Sequence, residues 1–341
     1  MSITLSNIDL TQQLNPAQVR QALALIEPAK RIALLAHEHP DGDCLGSALG
    51  LAHILRQVGK SCVPVCVDTP SSTWSFMPGI ETFQTDLGDE NFDLVIALDA
   101  GELYRFGTLA QHHSSFLECV PILNIDHHVS SNGCGQVNII EPQAAATAEL
   151  LVLFQQQGQL PINQDAAMCL LTGLITDTGS FQYSNTTPRT MLAGAAMLQA
   201  GAVPEIIVKP IFRTHPLAQV RFQSAVIANA RTASNGRLIW SYATEETLAA
   251  TGAEANMDAG ISGALRDVEG VQVAAFFKNY NNAPETRLSL RSEAPYNVAE
   301  FCMRFGGGGH PRAAGATIKK PLAEAMELVI GELEKELTQQ L

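Results

Sequence analysis

The chain has 341 residues, 46% of them hydrophobic and 16% charged, which describes an ordinary globular protein long enough for two domains rather than a disordered one. A net charge of -13 argues against wrapping long nucleic acid, which needs many Lys and Arg contacts to phosphate, but leaves small phosphorylated substrates and divalent cations open. Seven cysteines with no CxxC pair argue against a disulfide framework; with no basic-then-apolar leader after Met1 and no apolar run near the ~20 residues of a membrane span, a cytoplasmic protein without a membrane is expected.

Asn15-Pro16 is a cap followed by Pro at the first helical position and predicts a helix to about Glu27. The apolar run Ile32 to Ala36 reads as a buried strand that ends in His37-Glu-His-Pro-Asp41-Gly-Asp43. Pro40 and Gly42 force a tight loop there, and a helix follows from near Cys44 to Gly59. Ser61 to Val67 is the next strand. Phe92 to Leu98 is another, ending at Asp99, and Pro121 to Ile125 a fourth, ending in Asp126-His127-His128. Asn138 to Ile140 reads as a short fifth strand.

Helices are expected from about Ala144 to Gln157, over Asp165 to Asp177, and from the Asn185–Thr190 cap to about Ala200. The long, Pro-interrupted pattern over 205–231 reads as a helical linker between a first domain, 1–204, and a second, 232–341. In the second, Leu238 to Tyr242 is a strand and Glu245 to Ala250 a short helix. Val271 to Lys278 and Thr286 to Arg291 form a hairpin around Asn279–Asn282. A helix near Asn297 to Arg304, the run Gly306–Gly309 with His310, a strand at Ala316 to Ile318 and a last helix from Pro321 to about Leu337 complete the chain.

His37, Asp41 and Asp43, then Asp99, then Asp126, His127 and His128, then Asp177 each stand at the end of an element. Any one Asp there is readily a cap or turn residue, and a lone His a satisfied surface or core residue. Together, at one edge of an open parallel sheet, they ask for cations, because clustered ligands are costly to bury without a partner. They are too many for one ion and suit two, with one carboxylate bridging; mixed nitrogen and oxygen ligation points to Mn²⁺, Mg²⁺ or Co²⁺ rather than a thiolate-bound metal. Two ions about 3.5–4 Å apart clamp an in-line attack on phosphorus. The glycine run is either a flexible loop or a backbone cradle for an anion; His310 after it, and Arg291 and Arg266, favour the anion.

These pieces resemble the DHH phosphoesterase superfamily, through His37-Glu-His-Pro-Asp-Gly-Asp43, Leu98-Asp99, Asp126-His-His128 and Leu174-Ile-Thr-Asp177-Thr-Gly. Phe305-Gly-Gly-Gly-Gly-His310-Pro-Arg-Ala-Ala-Gly315 looks like the DHH-associated C-terminal domain, and the stretch Asp177 to Thr187 resembles the nanoRNase branch. The resemblance implies an α/β protein: a parallel-sheet domain with helices on both faces and a smaller α/β domain closing over the inter-domain cleft. It implies one ion on His37, Asp41 and Asp99 and a second on Asp43, Asp99, His127 and Asp177, most readily Mn²⁺. His128 would face the substrate and Asp126 orient an imidazole. Gly307, Gly308, Gly309, His310, Arg291 and Arg266 would hold the substrate phosphate. Cys44, where the family often has a smaller residue, is expected to have no consequence.

The expected reaction is metal-assisted hydrolysis of short RNA to mononucleotides and of the 3′-phosphate of a nucleoside bisphosphate, by a possible homodimer. Hydrolysis of linear or cyclic dinucleotides is an alternative. A silent nucleotide or metal sensor is another, disfavoured because every ligand position is filled.

Overall fold

The computed structural model describes residues 13–339 apart from Glu90, Ala259 and Asn282, and leaves the side chains of His310 and Gln339 undescribed. The chain's first residues and Asn282 of the hairpin therefore lie outside the described residues. Two compact units are present, Met1–Thr214 and His215–Leu341.

The first unit is built on five parallel strands, β1 (Arg31–Leu35), β2 (Ser61–Val65), β3 (Leu94–Leu98), β4 (Ile122–Asp126) and β5 (Val137–Ile140), in the order β2-β1-β3-β4-β5. Residues on β3 and β4 are buried throughout, as strands covered on both faces must be. One face carries α1 (Pro16–Ile26), α2 (Gly42–Gln57), and further on the helices Thr147–Gln157 and Gln164–Asp177; the other carries the short α3 (Thr108–His112) and α4 (Ser114–Leu117). The chain leaves β1 toward β2 on one side and returns to place β3 on the other. The strand order therefore reverses between β1 and β3, and a crevice opens beyond their C-terminal ends.

The Thr147–Gln157 helix (α5) starts three residues later than the apolar pattern predicts. Ala146 is extended, at φ -164° and ψ 154°. The Gln164–Asp177 helix (α6) lies against α2 through glycines: a side chain on Gly46 would meet the Cys169 carbonyl oxygen at 2.4 Å, and one on Gly173 would meet Asp43 Oδ1 at 2.4 Å. The spacing Gly42, Gly46, Gly50 puts that stripe on one helix face. Pro188–Gln199 (α7) is capped by Thr187 with a Thr190 capping box, and Pro204–Val208 (α8) runs into a π-helical turn, Lys209–Arg213.

The stretch read as a linker is divided. Ile207 is buried with the first unit's core, while Phe222 and Val226, on α9 (Leu217–Ala228), are buried in a cluster with Ile239 and Phe276 of the second unit. Its apolar residues are consumed by two different cores.

The second unit is a six-stranded mixed sheet: β6 (Arg231–Ala233), β7 (Leu238–Thr244), β8 (Val273–Asn279), β9 (Thr286–Ser292), β10 (Gly308–His310) and β11 (Ala313–Ile318), ordered β10-β11-β9-β8-β7-β6. Helices α10 (Glu245–Thr251), α11 (Ile261–Arg266), α12 (Val298–Met303) and α13 (Leu322–Gln339) complete it. The glycine run is partly an edge strand. Side chains on Gly307 and Gly309 would meet the carbonyl oxygens of Gly315 at 2.1 Å and Ala313 at 2.5 Å, so these glycines are required for strand approach.

Among the described residues no single helix is long and apolar enough to cross a membrane.

Candidate metal centre

His37 follows β1 by two residues and is 5% exposed. Its Nδ1 faces the Glu38 carbonyl oxygen at 2.8 Å, which places the proton on Nδ1 and leaves Nε2 3.5 Å from Asp99 Oδ2. Cys44 lies against this loop. Its Sγ accepts the His37 backbone N–H at 3.1 Å, and burial pushes the thiol well above its ordinary range, so it supports the loop as a neutral thiol.

Asp41 caps α2, its Oδ1 accepting the N–H groups of Asp43 at 3.0 Å and Cys44 at 2.9 Å. Burial, then the charges of Asp99 and Asp177, push its carboxyl up to about 6. Asp43 is fully buried in the first turn of α2. Its Oδ2 accepts the Thr147 N–H at 2.6 Å and its Oδ1 the Ala148 N–H at 2.9 Å. The late start of α5 explains this pairing: N–H groups at a helix N-terminus have no intrahelical partner and favour a carboxylate. Burial and the charges of Asp99 and Asp177 raise the Asp43 carboxyl well above its usual value.

Asp99 follows β3 in a left-handed conformation, φ 60°, which Asp tolerates better than most residues. Oδ1 accepts the Thr147 hydroxyl at 2.8 Å and lies 3.5 Å from His127 Nε2. Burial opposes its ionisation, but His37, His127 and His128 outweigh that and hold the carboxyl below its ordinary range.

His127 and His128 follow β4 with their ring centroids 4.7 Å apart. The Nδ1 of His127 faces the Ala144 carbonyl oxygen at 3.2 Å, and its Nε2 lies 3.2 Å from Asp177 Oδ2 and 3.9 Å from Asp43 Oδ2. Burial would lower this imidazole, yet Asp177, Asp99 and Asp43 raise it to about 10. His128 Nδ1 is 2.7 Å from Asp126 Oδ1, which holds that edge of the ring. Asp177 ends α6, and burial raises its carboxyl despite the neighbouring imidazole of His127.

The structure thus brings His37, Asp41, Asp43, Asp99, His127, His128 and Asp177 to one sheet edge. Ligand atoms of Asp99, His127 and His128 lie within 4.8 Å of one another, as do those of Asp43, His127 and Asp177. These residues fit divalent cations. His127 Nε2 and Asp126 Oδ2 are buried without a hydrogen-bond partner, both Nδ1-protonated imidazoles turn Nε2 to the carboxylates, and the field raises even a buried imidazole.

Sequence reasoning missed the supports. Thr147 holds Asp99 with its hydroxyl and Asp43 with its N–H. Buried Glu149 accepts from Arg189 Nε at 2.5 Å, the Thr190 hydroxyl at 2.7 Å and the Ala145 N–H at 3.2 Å, fixing the turn whose carbonyl orients His127. Thr147 followed two residues later by a buried acid offers only a generic helix-start signal.

In the second unit, Arg291, Ala313 and His310 fall in one cross-strand row through β9, β11 and β10. Arg266 lies on α11 and pairs with Asp267 Oδ1 at 2.5 Å and Glu293 Oε1 at 3.4 Å.

Residues 31–174 match the DHH family, N-terminal domain, and residues 235–339 the DHHA1 domain. A bifunctional oligoribonuclease and PAP phosphatase NrnA of Thermus thermophilus is 30% identical over 312 residues, covering 90% of each chain. The chain belongs to the DHH family, alongside the NrnA enzymes. The Mycoplasma genitalium enzyme of the same name is 29% identical over 90% of this chain and 95% of its own. Among solved structures, an exopolyphosphatase-related protein of Bacteroides fragilis has the same fold, with a TM-score of 0.86 at 21% identity over 96% of this chain and 99% of its own. As a DHH family member the protein is a phosphoester hydrolase.

Proposed function

We propose that this protein hydrolyses short oligoribonucleotides to mononucleotides and removes the 3′-phosphate of 3′-phosphoadenosine 5′-phosphate, at two divalent cations held by His37, Asp41, Asp43, Asp99, His127 and Asp177. The observation that carries the reading is the convergence of these ligands on the switch point of the first sheet, with Asp99 between the two histidines. Divalent cations there, with Mn²⁺ best suited to mixed imidazole and carboxylate ligands, supply Lewis-acid stabilisation of phosphorus oxygens and a more acidic water.

The chain's own residues do the rest. His37 and His127 are locked by backbone carbonyls, so their Nε2 atoms are preset. Asp126 fixes the His128 ring through Nδ1, leaving the opposite edge of a half-exposed imidazole to meet the scissile phosphate or leaving group. Asp99 bridges. The Arg291 and His310 row, with Gly308 open beside it, supplies a phosphate contact on the second unit. Substrates with few phosphates suit a chain of net charge -13.

The test is a parallel assay with Mn²⁺ of a ribodinucleotide, a long single-stranded RNA, 3′-phosphoadenosine 5′-phosphate, a cyclic dinucleotide and pyrophosphate. The dinucleotide and the bisphosphate are expected to turn over fastest. Chelation should abolish turnover, Mn²⁺ should restore it, and Asp99→Asn should cost at least about a hundred-fold. Preferred turnover of pyrophosphate or the cyclic compound would refute the substrate assignment, and full activity of Asp99→Asn the metal assignment.

A further inference from the structure

The eight residues after Asp177 form a turn built against backbone preference. Gly179, Ser180 and Phe181 are consecutively left-handed, at φ 55°, 61° and 65°. Only the glycine adopts that conformation without strain, and for Phe it is an outlier. Strain of this kind persists only where the surroundings over-determine it, and it concentrates at functional sites. Here the surroundings do so. The Thr178 carbonyl oxygen accepts the N–H groups of Gln182 at 2.9 Å and Tyr183 at 3.0 Å, and the Thr178 hydroxyl accepts that of Phe181 at 2.9 Å. Ser180 N–H reaches back to the Ile175 carbonyl oxygen at 2.7 Å. Asn185 closes the turn, donating from Nδ2 to the Asp177 carbonyl oxygen at 3.0 Å and to that of Ala145 at 3.1 Å.

The turn sends two aromatics in opposite directions. Phe181 packs inward on the first unit's core. Tyr183 is 54% exposed, and the phenol end of its ring rests on Gly179: a side chain there would meet Cζ at 2.4 Å. An aromatic ring is therefore held in solvent, by a strained turn braced by hydrogen bonds from Thr178 and Asn185, over the residue two positions past a metal-ligand carboxylate. A hydrophobic role in the core would not require this, since Phe181 already fills it.

We propose that Tyr183 is a stacking platform for the nucleobase of the nucleotide whose phosphate lies at the cation that Asp177 would help to hold. The assignment rests on the nucleotide substrates proposed above and adds a base subsite to them. It also explains how an acidic chain holds a short nucleotide: base–aromatic stacking is tolerant of sequence and supplies affinity that phosphate contacts do not.

The test compares two substrates that differ only in the base, 3′-phosphoadenosine 5′-phosphate and ribose 3,5-bisphosphate, with the wild type, Tyr183→Ala and Tyr183→Phe. Tyr183→Ala is expected to raise KM for the nucleotide by about five- to a hundred-fold, with kcat less affected, and to leave the abasic compound's kinetics unchanged. Tyr183→Phe, which keeps the ring, should restore the nucleotide KM. Equal losses on both substrates, or none on either, would overturn the subsite while leaving the phosphatase reading standing. A wild type that hydrolyses neither would overturn that reading and the subsite with it.

Discussion

Replacing Thr147 with Val tests whether the start of α5 supports the metal centre. The substitution keeps the side chain's shape and removes one donor, the hydroxyl that lies 2.8 Å from Asp99 Oδ1. Thr147 is fully buried and Asp99 only 2% exposed, so water does not replace the lost bond. A hydrogen bond to a charged group contributes about 1.5–3 kcal/mol, which makes a loss of about 2 kcal/mol the expectation. For a unit of this size each kcal/mol shifts Tm by about 2–4 °C, so the expected fall is about 4–8 °C. The measurement is thermal unfolding in chelator, which isolates the bond from any cation. Thr147→Ser keeps the donor and loses one methyl, costing about 1 kcal/mol. The backbone N–H that Thr147 gives to Asp43 survives in both variants. The stability order should be wild type, then Ser, then Val. A Val variant at least as stable as the Ser variant would refute the argument that the hydroxyl supports Asp99.

Two further predictions concern the frame. Gly46→Ala puts a Cβ 2.4 Å from a backbone oxygen of α6 that does not yield cheaply; overpacking costs about 1–3 kcal/mol, against a helix-propensity gain of about 1 kcal/mol, so Tm should fall, and a variant melting at or above wild type would show that α2 and α6 do not pack through this glycine. Asp93 Oδ2 accepts the N–H groups of Lys30 at 2.7 Å and Arg31 at 2.8 Å, and these bonds, that of Arg31 foremost, hold its carboxyl below the ordinary range. A carboxyl depressed on folding contributes stability that is present above its unfolded pKa of about 4 and is lost as pH falls through the folded value. The urea midpoint of the wild type should therefore exceed that of Asp93→Ala at neutral pH and converge on it in acid; a gap independent of pH would count against the carboxylate's role.

Much of the side-chain cluster was legible in the sequence because most of its members stand at the end of a strand or at the start or end of a helix. The apolar run Ile32 to Ala36, the run ending at Leu98 and the run ending at Ile125 are strands by composition, and the polar residues after them must lie at the sheet's C-terminal edge. Local pattern also gave the hairpin of β8 and β9 and the capping of α7. It could not give the start of α5, because three alanines before Thr147 fit a helix as well as they fit the extended turn that Glu149 and Arg189 impose from elsewhere in the chain. Nor could it show that the second unit's glycines serve strand approach, that Arg266 lies 3.4 Å from Glu293, or that the apolar residues of 205–231 are divided between two cores. Those outcomes depend on which backbones meet across long sequence separations. The sequence by itself determined which imidazoles and carboxylates stand at the C-terminal edge of the first sheet. Tertiary packing decided how the side chains are aimed, through carbonyls that fix imidazoles, helix N–H groups that fix Asp43, and a strained turn that rests Tyr183 on Gly179.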